Sequence, residues 1–115
     1  MLVQVACGAA LLLQVCLASA APPCFVAHTT GYLRQAGSAR TADGTSIWTD
    51  EPIVAAHARI PLDTLLWVDG FRANPYRVAD RGPGLGPADL DFPVDSLPKA
   101  LETTGDSLAC FGPLR

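Results

Sequence analysis

Six short runs of β-forming residues, each closed by turn-forming residues, dominate the chain and limit it more than any other feature. They are Phe25 to Leu33, Pro52 to His57, Thr64 to Val68, Pro75 to Ala79, Asp89 to Phe92 and Ser107 to Phe111. Strands this short and closely spaced, with Gly and Pro between them, leave no room for the long helical crossovers of parallel βαβ units. They point to a mainly β fold, a compact barrel or sandwich. Asp69-Gly70 marks a turn between Leu65-Leu66-Trp67-Val68 and Tyr76-Arg77-Val78, with a connection longer than two residues. One helix is expected. It starts at Asp95 or Ser96, has Pro98 in its first turn, carries Leu97, Ala100 and Leu101 as its apolar positions, and stops at Gly105.

The first 20 residues carry no charged side chain and end in Ala18-Ser19-Ala20, a small-x-small pattern before a cleavage point. A secretory signal peptide over residues 1–20 is therefore expected, leaving one domain over residues 21–115 and a secreted or periplasmic location. An uncleaved anchor is the alternative. The apolar stretch is short and interrupted by Gln14, which disfavours a permanent membrane span.

Cleavage would remove Cys7 and Cys16 and leave Cys24 and Cys110 at opposite ends of the domain. In an exported protein such a pair is expected to form one disulfide, against the alternative of two buried thiols. A bridge closing nearly the whole domain would stabilise it by on the order of 4 kcal/mol in the chain-entropy model. No cofactor and no metal are expected, because two distant cysteines and two histidines lack close-paired ligand spacing. Eight basic against eleven acidic residues give a net charge of −3. No basic face is available to neutralise phosphates, so nucleic acid is not an expected partner.

Candidate chemistry gathers in VADRGPGLGPADLDF, residues 78–92, where three aspartates and an arginine sit in a Gly/Pro-rich segment. Such a segment is a loop between strands, where reactive groups on a rigid scaffold tend to lie. Asp89 and Asp91 alternate with Leu90, so both belong to one strand face and Leu90 to the other.

Five pieces in order carry a family resemblance: ARTADGTSI (39–47), IVAAHARIPLDT (53–64), VADRGP (78–83), DLDF (89–92) and a following short helix. Together they resemble the rare lipoprotein A-like family, over roughly residues 30–105. The resemblance implies a six-stranded double-psi β-barrel with one or two short helices, related to expansin and barwin-like barrels. It also implies an endolytic lytic transglycosylase that cuts peptidoglycan between N-acetylmuramic acid and N-acetylglucosamine and leaves a 1,6-anhydro end. By motif match Asp80 takes the catalytic aspartate's place and His57 that of the essential histidine. Asp91 matches an acidic residue of the later strand that is catalytic in the transglycosylase A relatives. Asp63 stands where the family usually has Gly, and Ala79 where a polar residue usually precedes the aspartate.

Cleaving a glycosidic bond requires a carboxylic acid still protonated near neutral pH, and the expected acid and base is Asp80. Burial and repulsion from Asp91 or Asp89 would raise its pKa. Arg81 is expected to turn away from it, toward Asp89, Asp91 or the substrate, and one of these carboxylates to pair with Arg81 or Arg77. His57 would orient Asp80 or hydrogen-bond the sugar. Tyr32, Thr41 and Trp48 are further candidates for substrate contact, with Thr41 to Gly44 a tight turn lining the groove. Trp67 is expected in the core.

The partner implied is a peptidoglycan or related polysaccharide strand, and a monomer is expected. Two alternatives stay open. One is a non-catalytic polysaccharide-binding or wall-loosening module of expansin or barwin type. The other is a glycoside hydrolase like the family 45 glucanases, with carboxyl groups roughly 6.5–9.5 Å apart to admit a water.

Overall fold

The computed structural model describes residues 23–34 and 40–112. The expected signal peptide lies outside the described residues. Six strands and one helix follow one another: β1 (Cys24–Leu33), β2 (Ile53–Ala56), β3 (Leu65–Val68), β4 (Tyr76–Asp80), β5 (Asp89–Val94), α1 (Leu97–Thr103) and β6 (Gly105–Phe111). All six expected strands are present, and they close into a barrel in the order β1-β5-β2-β4-β3-β6. The chain thus folds as a mainly β, six-stranded barrel with one short helix.

Closure resolves the choice between sandwich and barrel. β1–β5 and β2–β4 are parallel pairs, and every other neighbour is antiparallel. The interior is filled by alternate residues, with Ala27, Val54, Ala56, Leu66, Val68, Val78, Leu90, Phe92 and Ala109 in one buried cluster with Ile60. β5 displays the rule most clearly, since Leu90, Phe92 and Val94 are buried while Asp89, Asp91 and Pro93 are not.

Cys24 pairs with Cys110 where β1 meets β6, and the two form a disulfide. The barrel is thereby fastened where its terminal strands meet.

The β3–β4 connection is fixed by Asn74, whose carboxamide oxygen accepts the Val68 amide at 2.7 Å while its nitrogen donates to the Val68 and Phe71 carbonyls. Asp63 adopts φ 72°. That left-handed conformation is the physical reason a Gly suits this position; Asp is among the few other residues that tolerate it.

Helix α1 begins where expected, with the Ser96 hydroxyl accepting the Lys99 amide. Its apolar face differs from the expectation. Ala100 is buried, but Leu97 and Leu101 are 62% and 69% exposed. The cause is a close approach to β1: a Cβ on Gly31 would lie 2.9 Å from the Ala100 Cα. The helix rests its backbone on that glycine, so Ala100 is its one buried residue and both leucines face outward. Thr29, inside β1, ties down the helix end by donating to the Thr103 carbonyl at 2.6 Å.

Candidate functional site

Asp80 owes its orientation to an irregularity in β4. Val54 pairs with Val78, but the next residue of β2, Ala55, pairs with Asp80, leaving Ala79 as an extra residue. Val78 points into the core, and without the bulge Asp80 would share its side. With it, Asp80 takes the side of Ala55, away from the core; bulges commonly re-aim a side chain in this way. On the other flank of β2, Ala55 pairs with Asp91. One small residue thus separates two carboxylates on the same outer face.

Three donors hold the Asp80 carboxylate. Its Oδ1 accepts the main-chain amides of Ala42 at 2.9 Å and Arg81 at 2.8 Å, and its Oδ2 accepts the Tyr32 hydroxyl at 3.4 Å. The Ala42 amide is delivered by the turn at 41–45. There the Thr41 amide donates to the Thr45 carbonyl, and Asp43 accepts both the Thr45 amide at 3.0 Å and the Thr41 hydroxyl at 2.7 Å. The Asp43 amide then donates to the Ala79 carbonyl at 3.1 Å, pinning the turn to the bulge.

Asp91 is held differently. It accepts a single side-chain hydrogen bond, from the Thr30 hydroxyl at 2.8 Å. Burial pushes its carboxyl above the usual range, and the Asp80 charge adds to that push; only the Thr30 hydroxyl opposes it. Tyr32 is likewise pushed far up, first by burial and then by the charge of Asp80, so its phenol remains a donor throughout the physiological range. The upward push expected from burial and a neighbouring carboxylate thus falls on Asp91.

The remaining candidates sort by position. His57 lies just past the end of β2, and its Nδ1 accepts the Arg59 amide at 3.1 Å. That bond requires the imidazole proton on Nε2 in the neutral ring. No hydrogen bond joins His57 to Asp80 among the described residues, so the structure does not bring them together as an orienting pair. Arg81 turns away from the Asp80 carboxylate, but toward the Ala56 carbonyl at 3.3 Å rather than toward Asp89 or Asp91. Asp89 accepts the Gly86 amide at 2.7 Å and closes its own turn. Thr41 is 5% exposed and serves the turn from within, while Trp48 is half exposed. Trp67, expected in the core, lies instead on the outward register of β3 and is only partly buried, with its indole nitrogen buried without a partner among the described residues.

Neither Asp89 nor Asp91 pairs with Arg77. That guanidinium instead gathers Asp43, Glu51 at 2.6 Å and Asp63 at 3.0 Å. Thr30, the Ala42 amide and this arginine cluster are the functional and supporting elements that sequence reasoning missed. Thr30 lies opposite Asp91 in the β1–β5 ladder; strand pairing is the signal that would have found it.

A cavity of about 500 Å³ opens elsewhere, bordered by Arg34, Phe71, Tyr76, Phe92 and Lys99 among others. None of Asp80, Asp91, Tyr32 or His57 lines it. The candidate site is placed at the carboxylates, where the perturbed groups converge, rather than at this hollow. No three metal-ligating side chains cluster among the described residues, and no helix there is long and apolar enough to cross a membrane.

Fold and site together define a small closed β-barrel that carries a pair of carboxyl groups on its outer face. No family model, curated protein or solved structure matches the chain.

Proposed function

We propose that this protein is an exported lytic transglycosylase of the rare lipoprotein A-like type that cleaves peptidoglycan glycan strands. The observation that carries the reading is the Asp80–Asp91 pair astride Ala55, one member held by two main-chain amides and the other pushed toward its protonated form. The motif order supports the family assignment, as does the crossed barrel order with its two parallel pairs. The disulfide is compatible with an oxidising compartment.

On this reading the acid is Asp91 and Asp80 is its anionic partner. Asp91 gives its proton to the glycosidic oxygen as the C1–O bond breaks, and the Asp80 charge stabilises the oxocarbenium character that develops at C1. The muramic acid C6 hydroxyl then bonds to C1. Its proton goes to the Asp91 carboxylate, which restores the starting state and leaves a 1,6-anhydro ring. The Nε2–H of His57 is available to a substrate oxygen at the edge of the site.

The presence of two carboxyl groups on one face favours a second reading, a hydrolase in which Asp80 activates water. The product separates the two. Oxidised protein is incubated with peptide-free peptidoglycan strands, alongside Asp91→Asn and Asp80→Asn, and fragments are identified by mass. Anhydro-ended fragments that disappear with Asp91→Asn are expected. Reducing-end fragments would replace transglycosylation by hydrolysis, and intact glycan with protein bound to it would make this a binding module.

A further inference from the structure

The geometry points to Tyr32 as a positioning residue that sets the working oxygen of Asp80 and thereby decides which member of the carboxyl pair carries the proton, an inference that rests on the two-carboxylate reading above. The two oxygens of Asp80 are not equivalent. Oδ1 is occupied by two amides that belong to the turn and the loop after β4, neither of which can be withdrawn without moving the backbone. Oδ2 has one donor, the Tyr32 hydroxyl. Any proton that Asp80 takes up therefore lands on Oδ2 and must compete with that phenol.

Tyr32 is placed for this by strand pairing. In β1 it is two residues beyond Thr30, the donor to Asp91, and period two puts both on the same outer face. β1 thus supplies one hydroxyl to each carboxyl group, Thr30 to Asp91 and Tyr32 to Asp80. Burial and the facing carboxylates suppress ionisation of the phenol, so it remains a donor at any pH where glycan cleavage would proceed.

The other charged groups around the pair are engaged elsewhere. Arg34, just past the end of β1, donates to the Ile47 carbonyl and to Asp95, and Arg81 to the Ala56 carbonyl. Asp43, within the turn, is taken by Arg77, and Asp89 on β5 by the Gly86 amide. His57 after β2 is turned to the Arg59 amide through Nδ1. Among the described residues the phenol is consequently the one side chain that donates to Asp80.

Tyr32→Phe keeps the ring and removes the donor. The Asp80 anion then has one donor fewer, which disfavours the charged form and is expected to move its ionisation to higher pH. The Thr30 hydrogen bond to Asp91 is untouched by this substitution, so the Asp91 step is expected to stay in place. The test is a carbon NMR titration of the two carboxyl groups in oxidised wild-type protein, Tyr32→Phe and Thr30→Val, alongside pH profiles of glycan cleavage. Tyr32→Phe is expected to raise the Asp80 midpoint and the acid limb of the profile while leaving the alkaline limb unmoved. Thr30→Val is expected to do the reverse, raising the Asp91 midpoint and the alkaline limb.

An Asp80 midpoint unchanged by Tyr32→Phe, or equal shifts of both carboxyl groups, overturns the inference. Should loss of the hydroxyl disturb folding, fluorotyrosine at the chain's two tyrosines strengthens the same donor and must lower the Asp80 midpoint; no change there is equally fatal. The titration needs no substrate. A selective Asp80 shift in a protein that never cleaves glycan would remove the catalytic reading and leave the positioning role of Tyr32 standing.

Discussion

Replacing Arg77 by Met removes the counterion of three carboxylates at once, and the structure gives a magnitude for the loss. The guanidinium and Asp43 are both largely shielded, with side-chain exposures of 20% and 17%. A charge-assisted bond in that setting contributes roughly 1.5–3 kcal/mol. Glu51 is gripped at two positions but is 44% exposed, so its share is discounted to about 1 kcal/mol, and Asp63, at 79%, adds little. The expected penalty is therefore about 3 kcal/mol at neutral pH. At about 4–8 °C per kcal/mol for a domain of this size, the melting temperature falls by roughly 12–24 °C.

The pH dependence of that penalty sharpens the test. The carboxyl of Asp43 is held well below its usual range, by the Thr45 hydroxyl foremost and then by Thr41 and Arg77; that of Glu51 is lowered chiefly by Arg77. A depressed carboxyl contributes stability that is fully present above its unfolded value and is lost as pH falls through its folded one. The wild-type protein should thus lose stability below about pH 4–5. Arg77→Met lacks most of the Glu51 share and part of the Asp43 share, so its deficit shrinks on acidification. Urea unfolding of both oxidised proteins between pH 3 and pH 7 measures this. A deficit under about 1 kcal/mol at pH 7, or one that is constant across the range, would refute the reasoning.

Cys24→Ser with Cys110→Ser opens a loop of 86 residues and should cost on the order of 4 kcal/mol, read as a lower urea midpoint that reductant no longer changes. Gly31→Val drives a side chain into the Ala100 backbone and should destabilise by about 1–3 kcal/mol, with amide exchange in α1 and the adjoining end of β1 accelerated ahead of the rest of the barrel. Asp63→Ala loses both the tolerance of Asp for φ 72° and a weak ion pair, and should be less stable than Asp63→Gly by about 1 kcal/mol in thermal unfolding.

What the sequence discloses here follows from the range of the forces involved. Strand positions were legible because alternation is local; Leu90 and Phe92 announce the inner face of β5, and Asp89 and Asp91 its outer one, without any partner strand. The end of β5 was not legible, since Pro93 reads as a stop. The β2–β5 ladder covers only Leu90 and Asp91, so the missing amide of Pro93 breaks no bond to that neighbour and the strand continues to Val94. The bulge at Ala79 was hidden for a related reason. The sequence reading ends this run at Ala79 and leaves Asp80 to the loop, and only the register against Val54 and Ala55 shows that the strand continues and turns the carboxylate outward. The site depends on that register twice, once for Asp80 on β4 and once for Asp91 on β5. A motif can nominate both residues, yet their separation by a single alanine, and hence their electrostatic coupling, belongs to the sheet. The same holds for Arg77, whose acidic partners come from two connections, Asp43 and Glu51 from that between β1 and β2 and Asp63 from that between β2 and β3. Residues that act through a neighbour distant in sequence are those a one-dimensional reading loses first, and in this barrel Thr30, the Ala42 amide and Arg77 are all of that kind.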